Sequence, residues 1–417
     1  MESSVLHKLP FKDFDVLKIR NDFPFFNRSN HLLKNIVYLD NAATTLKPQI
    51  MLDELLNYYK YETANIHRSN HQLASISTYK FEETRTEVKY FLNATSSNEI
   101  IFTKSATESI NLLARSLGKN ILNPGDVILL SHMEHHSNIV PWQLIASETN
   151  AQIKVIPIDD NGDINLYEYK KLLDEKVKIV SVVHISNTLG TINPVAEMIK
   201  LAHDYGAYFI LDAAQSFLHE KIDVLLLDPD FLVGSAHKAL GPTGLGILYG
   251  KEAILETMPP YMGGGEMIHH VSFEKTLYND LPYKFEAGTP PIAQAIAFQK
   301  SLEYIKSIGQ DKINQHENSL LTYATNSLLQ IPKLRIIGNA RKKSAIISFL
   351  LGNIHPSDVG TLLDKQGIAL RVGTHCTEPL MKRFNISGTI RASFAFYNTF
   401  EEVDSLKHAL IKIQDFY

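Results

Sequence analysis

An α/β fold with a mostly parallel sheet is what this sequence predicts, and three observations predict it. Short β-branched runs alternate with longer helical patterns, polar residues cluster where those runs end, and the texture changes after Pro290 and Pro291. Alternation of this kind describes a sheet covered by helices on both faces. At 417 residues the chain is long for a single core, so two domains are expected.

Taken in order, the candidate strands are "NEIIFT" from Asn98, "DVILLS" from Asp126, "AQIKVIPI" from Ala151, "KIVSVVHI" from Lys178, "AYFILD" from Ala207 and "DFLVGS" from Asp230. Helical spacing fills the gaps near Thr107–Leu117, Ile139–Glu148, Leu166–Leu173 and Val195–Tyr205. Beyond the two prolines come helical patterns over Ile292–Ile308 and Lys312–Leu329. Strand-like "LRIIGN" and "SAIISFLL" follow, then a helix over Pro356–Gln366 and a last one after Phe400. This is the pattern of a smaller α+β domain. The expected division is residues 1–30 packing on the small domain, 31–290 as the large domain and 291–417 as the small one.

Composition removes several function classes. Lys and Arg number 41 against 45 Asp and Glu, interspersed, which leaves no basic footprint for nucleic acid or a membrane surface. No run reaches the roughly 18–20 apolar residues of a membrane span. The start "MESSVLHKLPFKDFD" lacks the order of a secretory signal, and a single cysteine suits a reducing compartment, so a cytoplasmic location is expected.

In open parallel sheets, ligands bind at the carboxyl ends of strands. "GSAHKALGPTGLGILYG" puts Lys238 just past such an end, among small residues and a rigid turn. Most lysines are solvated. Here the surroundings suit a desolvated amine, whose lowered pKa makes it nucleophilic enough for Schiff-base chemistry. Asp212 closes the apolar run "YFILD"; alone it reads equally well as a cap or salt-bridge partner. Beside a Schiff-base lysine, a carboxylate serves to keep a pyridine cofactor's ring nitrogen protonated. Gln215 is placed to bond that cofactor's phenolic oxygen.

"FTKSATES" turns a strand into a helix opening at about Thr107, an anion cradle or an ordinary N-cap. "SHMEHHSN" lacks metal-ligand spacing, so no metal is expected; His135 is read as stacking on a cofactor ring and His136 as structural. Arg391 in "GTIRAS" suits bidentate binding of a carboxylate. Cys376, the sole thiol, lies in "LRVGTHCTEPLM" between His375 and Thr377, with Arg371 five residues upstream. Polar and cationic neighbours are poor company for an apolar filler, and a nearby His or Arg charge would favour a thiolate.

Taken together, "DFPFF", "VYLDNAATTLKPQ", "ANIHRSNHQLA", "EHHSNIVPWQ", "HISNTLGTINPV", "ILDAAQS", "HKALGPTGLGILYG", "MGGGEMI", "FEAGTPP" and "RVGTHCTEPLM" span nearly the whole chain. The sequence resembles the group II (SUF-type) cysteine desulfurases, class-V aminotransferase relatives of fold type I that use pyridoxal 5'-phosphate (PLP) and include selenocysteine lyases. The resemblance implies that Lys238 holds PLP covalently, Asp212 pairs with its ring nitrogen, His135 stacks on the ring and Gln215 meets the phenolic oxygen. It places Asn187 near the ring or substrate, and Thr107, Ser235 and His237 at the phosphate. Thr289 would reach the neighbouring subunit's site in a homodimer. Arg391, with Arg371 nearby, would take the substrate carboxylate, and Cys376 would be the nucleophile receiving sulfur from L-cysteine, or selenium from L-selenocysteine. A SufE- or SufU-like acceptor would then carry the sulfur to iron–sulfur cluster assembly. The chain departs from the commoner pattern at Thr374, Ala236 and the "TEP" after Cys376. Other class-V PLP enzymes, an aminotransferase or a kynureninase-like lyase, would keep Lys238 and Asp212 without needing this thiol; a non-catalytic scaffold would need none of these groups.

Overall fold

The computed structural model describes residues 14–27 and 36–416. Its centre is a seven-stranded sheet. In chain order the strands are β2 Ile100–Thr103, β3 Val127–Ser131, β4 Gln152–Ile156, β5 Val177–Val183, β6 Tyr208–Asp212, β7 Phe231–Ser235 and β8 Gly246–Gly250; β1, Val37–Tyr38, lies elsewhere. The order across the sheet is β2-β8-β7-β6-β5-β3-β4. Strands β7, β6, β5, β3 and β4 pair in parallel, and β8 runs antiparallel to both its neighbours.

Burial explains why the runs are so uniformly apolar. Every residue of β2, β3, β7 and β8 is buried, because helices cover both faces of these strands. Helices α3 Ala106–Leu113, α4 Val140–Thr149 and α5 Val195–Asp204 follow strands in this layered pattern. Earlier in the chain come α1, Gln49–Asn57, and α2, Gln72–Leu92, against which α6, Ile292–Ile308, packs.

The second sheet has four antiparallel strands, β9 Leu334–Ile337, β10 Ile346–Leu351, β12 Arg371–Gly373 and β13 Thr389–Ser393, in the order β9-β10-β13-β12. Helices α7 Gln310–Leu329, α8 Pro356–Asp364 and α9 Phe400–Phe416 supply its core through Leu320, Leu363 and Leu406. Strand β1 pairs in parallel with β11, Ile368–Ala369, beside this sheet, and Asp40 bridges to Ser393.

Arg391 lies in the middle of β13, whose pairing with β12 begins at Thr389, just after Gly388 packs against Gly373. Of the expected N-terminal segment, residues 1–13 and 28–30 lie outside the described residues. In the described part, Phe23 packs on Tyr304 and Tyr397, and Arg20 donates to Tyr397 O at 2.8 Å and Glu402 at 3.0 Å.

Candidate active site

Strands β2, β3, β5, β6 and β7 run in one direction, which brings their ends to one edge of the large sheet, and a cavity of about 240 Å³ opens there. After β7 the chain makes a tight turn over Ala236–Lys238. Gly241 is required at its close, since a Cβ there would fall 2.4 Å from the Phe298 ring. Lys238 therefore meets the cavity from a rigid turn. Burial brings its amine down to about 8, with Asp212 opposing and Arg391 and Arg371 assisting the fall.

Asp212 ends β6 fully shielded, and Ala214 N–H donates to its Oδ1 at 2.9 Å. Burial pushes this carboxyl above its usual range, against the pull of Ala214 and Lys238. A cationic nitrogen placed beside it would relieve that cost. Gln215 Nε2 donates to Ala42 O at 2.7 Å, which fixes the side chain at the wall.

The opposite end of the cavity is built by Ser105, Ala106, Thr107, Ser235 and His237. Ser105 caps α3 through Glu108 N–H at 3.2 Å, and Ser235 Oγ takes Ala106 N–H at 3.0 Å. This turn sits directly on β8: a Cβ at Gly246 would come within 2.4 Å of the Ser105 carbonyl carbon. A helix start ringed by hydroxyls is suited to an anion. Burial and the neighbouring Lys238 bring the His237 imidazole down to about 4.

His135 is held by Ser137, whose N–H donates to Nδ1 at 3.1 Å, so the ring proton belongs on Nε2. Burial, then the charge of Lys238, lowers it to about 4, leaving a neutral ring. Asn187 donates to His375 O at 2.9 Å. Its Oδ1, like Arg391 Nε, is buried without a partner among the described residues, and both residues line the cavity. Such atoms are what a polar ligand satisfies.

Arg371 and Arg391 are direct cross-strand partners on β12 and β13. Two guanidinium groups set opposite each other favour an anion between them. Arg391 is 1% exposed and bonds Asp40 Oδ1 at 2.9 Å and Asn187 O at 2.8 Å. Arg371 Nη2 lies 3.9 Å from Cys376 Sγ. The thiol is half-buried, and both His375 and Cys376 adopt left-handed backbone, at φ 52° and 58°. His136 docks this loop: its N–H donates to Cys376 O at 2.8 Å, and its Nε2 accepts from Glu378 N–H at 3.1 Å.

Of the residues singled out from sequence, Lys238, Asp212, Gln215, Asn187, His135, Thr107, Ser235, His237, Arg371 and Arg391 line one cavity, and Cys376 lies at its rim beside Arg371. Thr289 does not join them in this chain; it borders a separate cleft with Lys104, Glu108 and Tyr261. Of the His or Arg charge expected near the thiol, Arg371 stands at the sulfur, while burial and the two arginines bring His375 down to about 3 and its Nε2 is engaged by Thr389 at 2.9 Å. Sequence reasoning missed Asp40 and Ala42, whose partners Arg391 and Gln215 are distant in sequence, and Ser137, a common residue that holds the His135 ring.

The cavity fits pyridoxal phosphate: an amine, a buried carboxylate, a neutral imidazole and an anion cradle surround it, with unpartnered polar atoms at its wall. A family model described as class-V aminotransferase matches residues 37–406. A cysteine desulfurase of Synechococcus elongatus is 48% identical over 402 residues, covering 96% of this chain and 64% of the relative. A probable cysteine desulfurase of Synechocystis sp. is 48% identical over 397 residues, 94% of each chain. Among solved structures, an apo cysteine desulfurase from Thermococcus onnurineus superposes with a TM-score of 0.91 at 37% identity, covering 96% of this chain and 98% of that one. This chain spans less than two thirds of the length of the Synechococcus elongatus relative.

Proposed function

Because this chain belongs to the class-V aminotransferase family, its cysteine desulfurase relatives matching it nearly end to end, we propose that it is a PLP-dependent cysteine desulfurase. The observation that carries this reading is Arg371 Nη2 lying 3.9 Å from the Cys376 sulfur at the mouth of the cavity that Lys238 lines. Lys238, Asp212, His135, Gln215, Asn187, Thr107, Ser235 and His237 would hold PLP. That cofactor supplies an electron sink for the substrate's α-carbon.

The protein's own groups do the rest. Arg391, fixed by Asp40, takes the carboxylate of L-cysteine, with Arg371 at the second side. The Lys238 amine, poised near pH 8, moves the α-carbon proton. Cys376 attacks as thiolate on the substrate sulfur: an S–S bond forms, the substrate's C–S bond breaks, and the carbon takes a proton. L-Alanine leaves and one persulfide remains on Cys376. The guanidinium of Arg371 lies beside this sulfur at 3.9 Å.

The finer assignment extends the same reading. Group II motifs such as "RVGTHCTEPLM" support a SUF-type role in iron–sulfur cluster assembly, with the half-buried sulfur passing to a SufE- or SufU-like acceptor. L-Selenocysteine is a second substrate with the same leaving-atom chemistry. The working form is a homodimer in which Thr289 reaches the neighbouring site, its place outside this chain's own cavity being what supports the crossing. The chain divides at residues 30 and 290, with the cysteine loop on the C-terminal part, and a single thiol suits the cytoplasm. Among the described residues no helix is long and apolar enough to cross a membrane.

The test is product analysis. PLP-loaded protein given L-cysteine should release alanine, and sulfide when a thiol acceptor is added, with Cys376→Ala losing both. Amino-group transfer to a keto acid, or equal sulfide release from Cys376→Ala, would reject this function.

A further inference from the structure

The carbonyl oxygen of His237, one peptide before Lys238, is surrounded by donors from a single short segment. Lys47 Nζ lies 2.8 Å away, Thr44 Oγ1 3.0 Å and Thr45 Oγ1 3.2 Å, and Thr45 N–H adds a contact at 3.2 Å. Thr45 Oγ1 also takes Leu240 N–H at 2.9 Å, on the far side of Lys238. A carbonyl oxygen has two lone pairs, so four donors exceed what satisfying one peptide requires.

Lys47 is the costly member of this set. It is half-buried, and among the described residues no carboxylate pairs with it; burial alone brings the amine down to about 7. Desolvating an amine without a counter-charge costs more than one hydrogen bond returns. The same segment also holds Arg391 through Asp40 and Ser393 O through Asn41 Nδ2, at 2.9 and 2.7 Å.

We propose that Lys47, with Thr44 and Thr45, is a positioning residue that clamps the His237–Lys238 peptide, so that the Lys238 amine is held in register with the groups that bind the cofactor. This rests on Lys238 carrying PLP. By joining β1 to the turn after β7, the clamp also fixes the spacing between that amine and the carboxylate-binding Arg391.

The test uses the full chain as wild type, Lys47→Met, Lys47→Arg, Thr44→Val and Lys238→Ala, each titrated with PLP and followed by visible absorbance, with thermal melting of the cofactor-free proteins alongside. Expected are PLP binding weakened about tenfold in Lys47→Met, the loss of one charge-assisted bond, a displaced visible band, little change in melting, and recovery of affinity and band in Lys47→Arg. Wild-type affinity and spectrum in Lys47→Met would overturn the clamp while leaving the Lys238 reading intact, and so would a fall in melting temperature alone. If Lys47→Met does not fold, Thr44→Val decides: about threefold weaker binding with the same band displacement supports the clamp, and no change refutes it. Identical spectra for wild type and Lys238→Ala would remove the Lys238 reading, and the clamp with it.

Discussion

Arg391 is pinned by Asp40: its Nη2 lies 2.9 Å from Asp40 Oδ1, across 351 residues of sequence, while Nη1 donates to Asn187 O at 2.8 Å. The guanidinium is thereby oriented before any substrate arrives, and Nε has no partner among the described residues. Asp40→Asn keeps an oxygen acceptor and removes the charge. Expected is a KM for L-cysteine raised about tenfold with a smaller effect on kcat, the pattern of a misaligned carboxylate contact. Steady-state kinetics checks it, and an unchanged KM would show that Asp40 does not orient Arg391.

Glu286 and Arg85 form a second buried pair. Oε1 takes Arg85 Nη1 at 2.6 Å and Phe102 N–H at 2.7 Å, and Oε2 takes Nη2 at 2.9 Å. Glu286→Ala takes the acceptor from the Phe102 amide and leaves the guanidinium with Glu82 Oε2 at 2.9 Å and Ile100 O at 2.8 Å. A loss of about 1–3 kcal/mol in urea unfolding is expected.

The Lys238 amine, held near 8 against an ordinary 10.5, is free base at a pH where solvent lysines are charged. The rate at which cofactor-free protein captures PLP should rise through pH 8 and flatten above it. The sign for stability follows from the same shift. Between pH 8 and 10.5 the unfolded chain holds the proton that the native chain has released, so the stability of cofactor-free protein increases with pH across that window. Capture that keeps rising toward pH 10.5 would mean an amine still open to water.

His136 ties the cysteine loop to the large sheet through Cys376 O and Glu378 N–H. His136→Ala removes the second contact and spares the first. Alkylation of Cys376 by iodoacetamide should become about threefold faster, reflecting a loop that opens more often. Slower alkylation would contradict this.

What was legible in the sequence follows from physics particular to each element. Strands β3, β5, β6 and β7 declared themselves because burial on both faces demands largely apolar runs. Helix α2, 21 residues long, went unread because its buried face includes Ser77, Thr84 and Arg85, which satisfy themselves through Glu62 O, Lys80 O and Glu286. Lys238 and Asp212 stood out as charges at the ends of apolar runs. Asp40 did not, since its meaning depends on Arg391. The neutrality of His375 was not legible either, because it comes from burial that a polar loop does not reveal.

The most direct measurement is the mass of the tryptic peptide carrying Cys376 after PLP-loaded protein turns over L-cysteine once without an acceptor. One added sulfur atom on that peptide, in step with one alanine released per site, is the predicted result. Alanine formed with the peptide unmodified would contradict it.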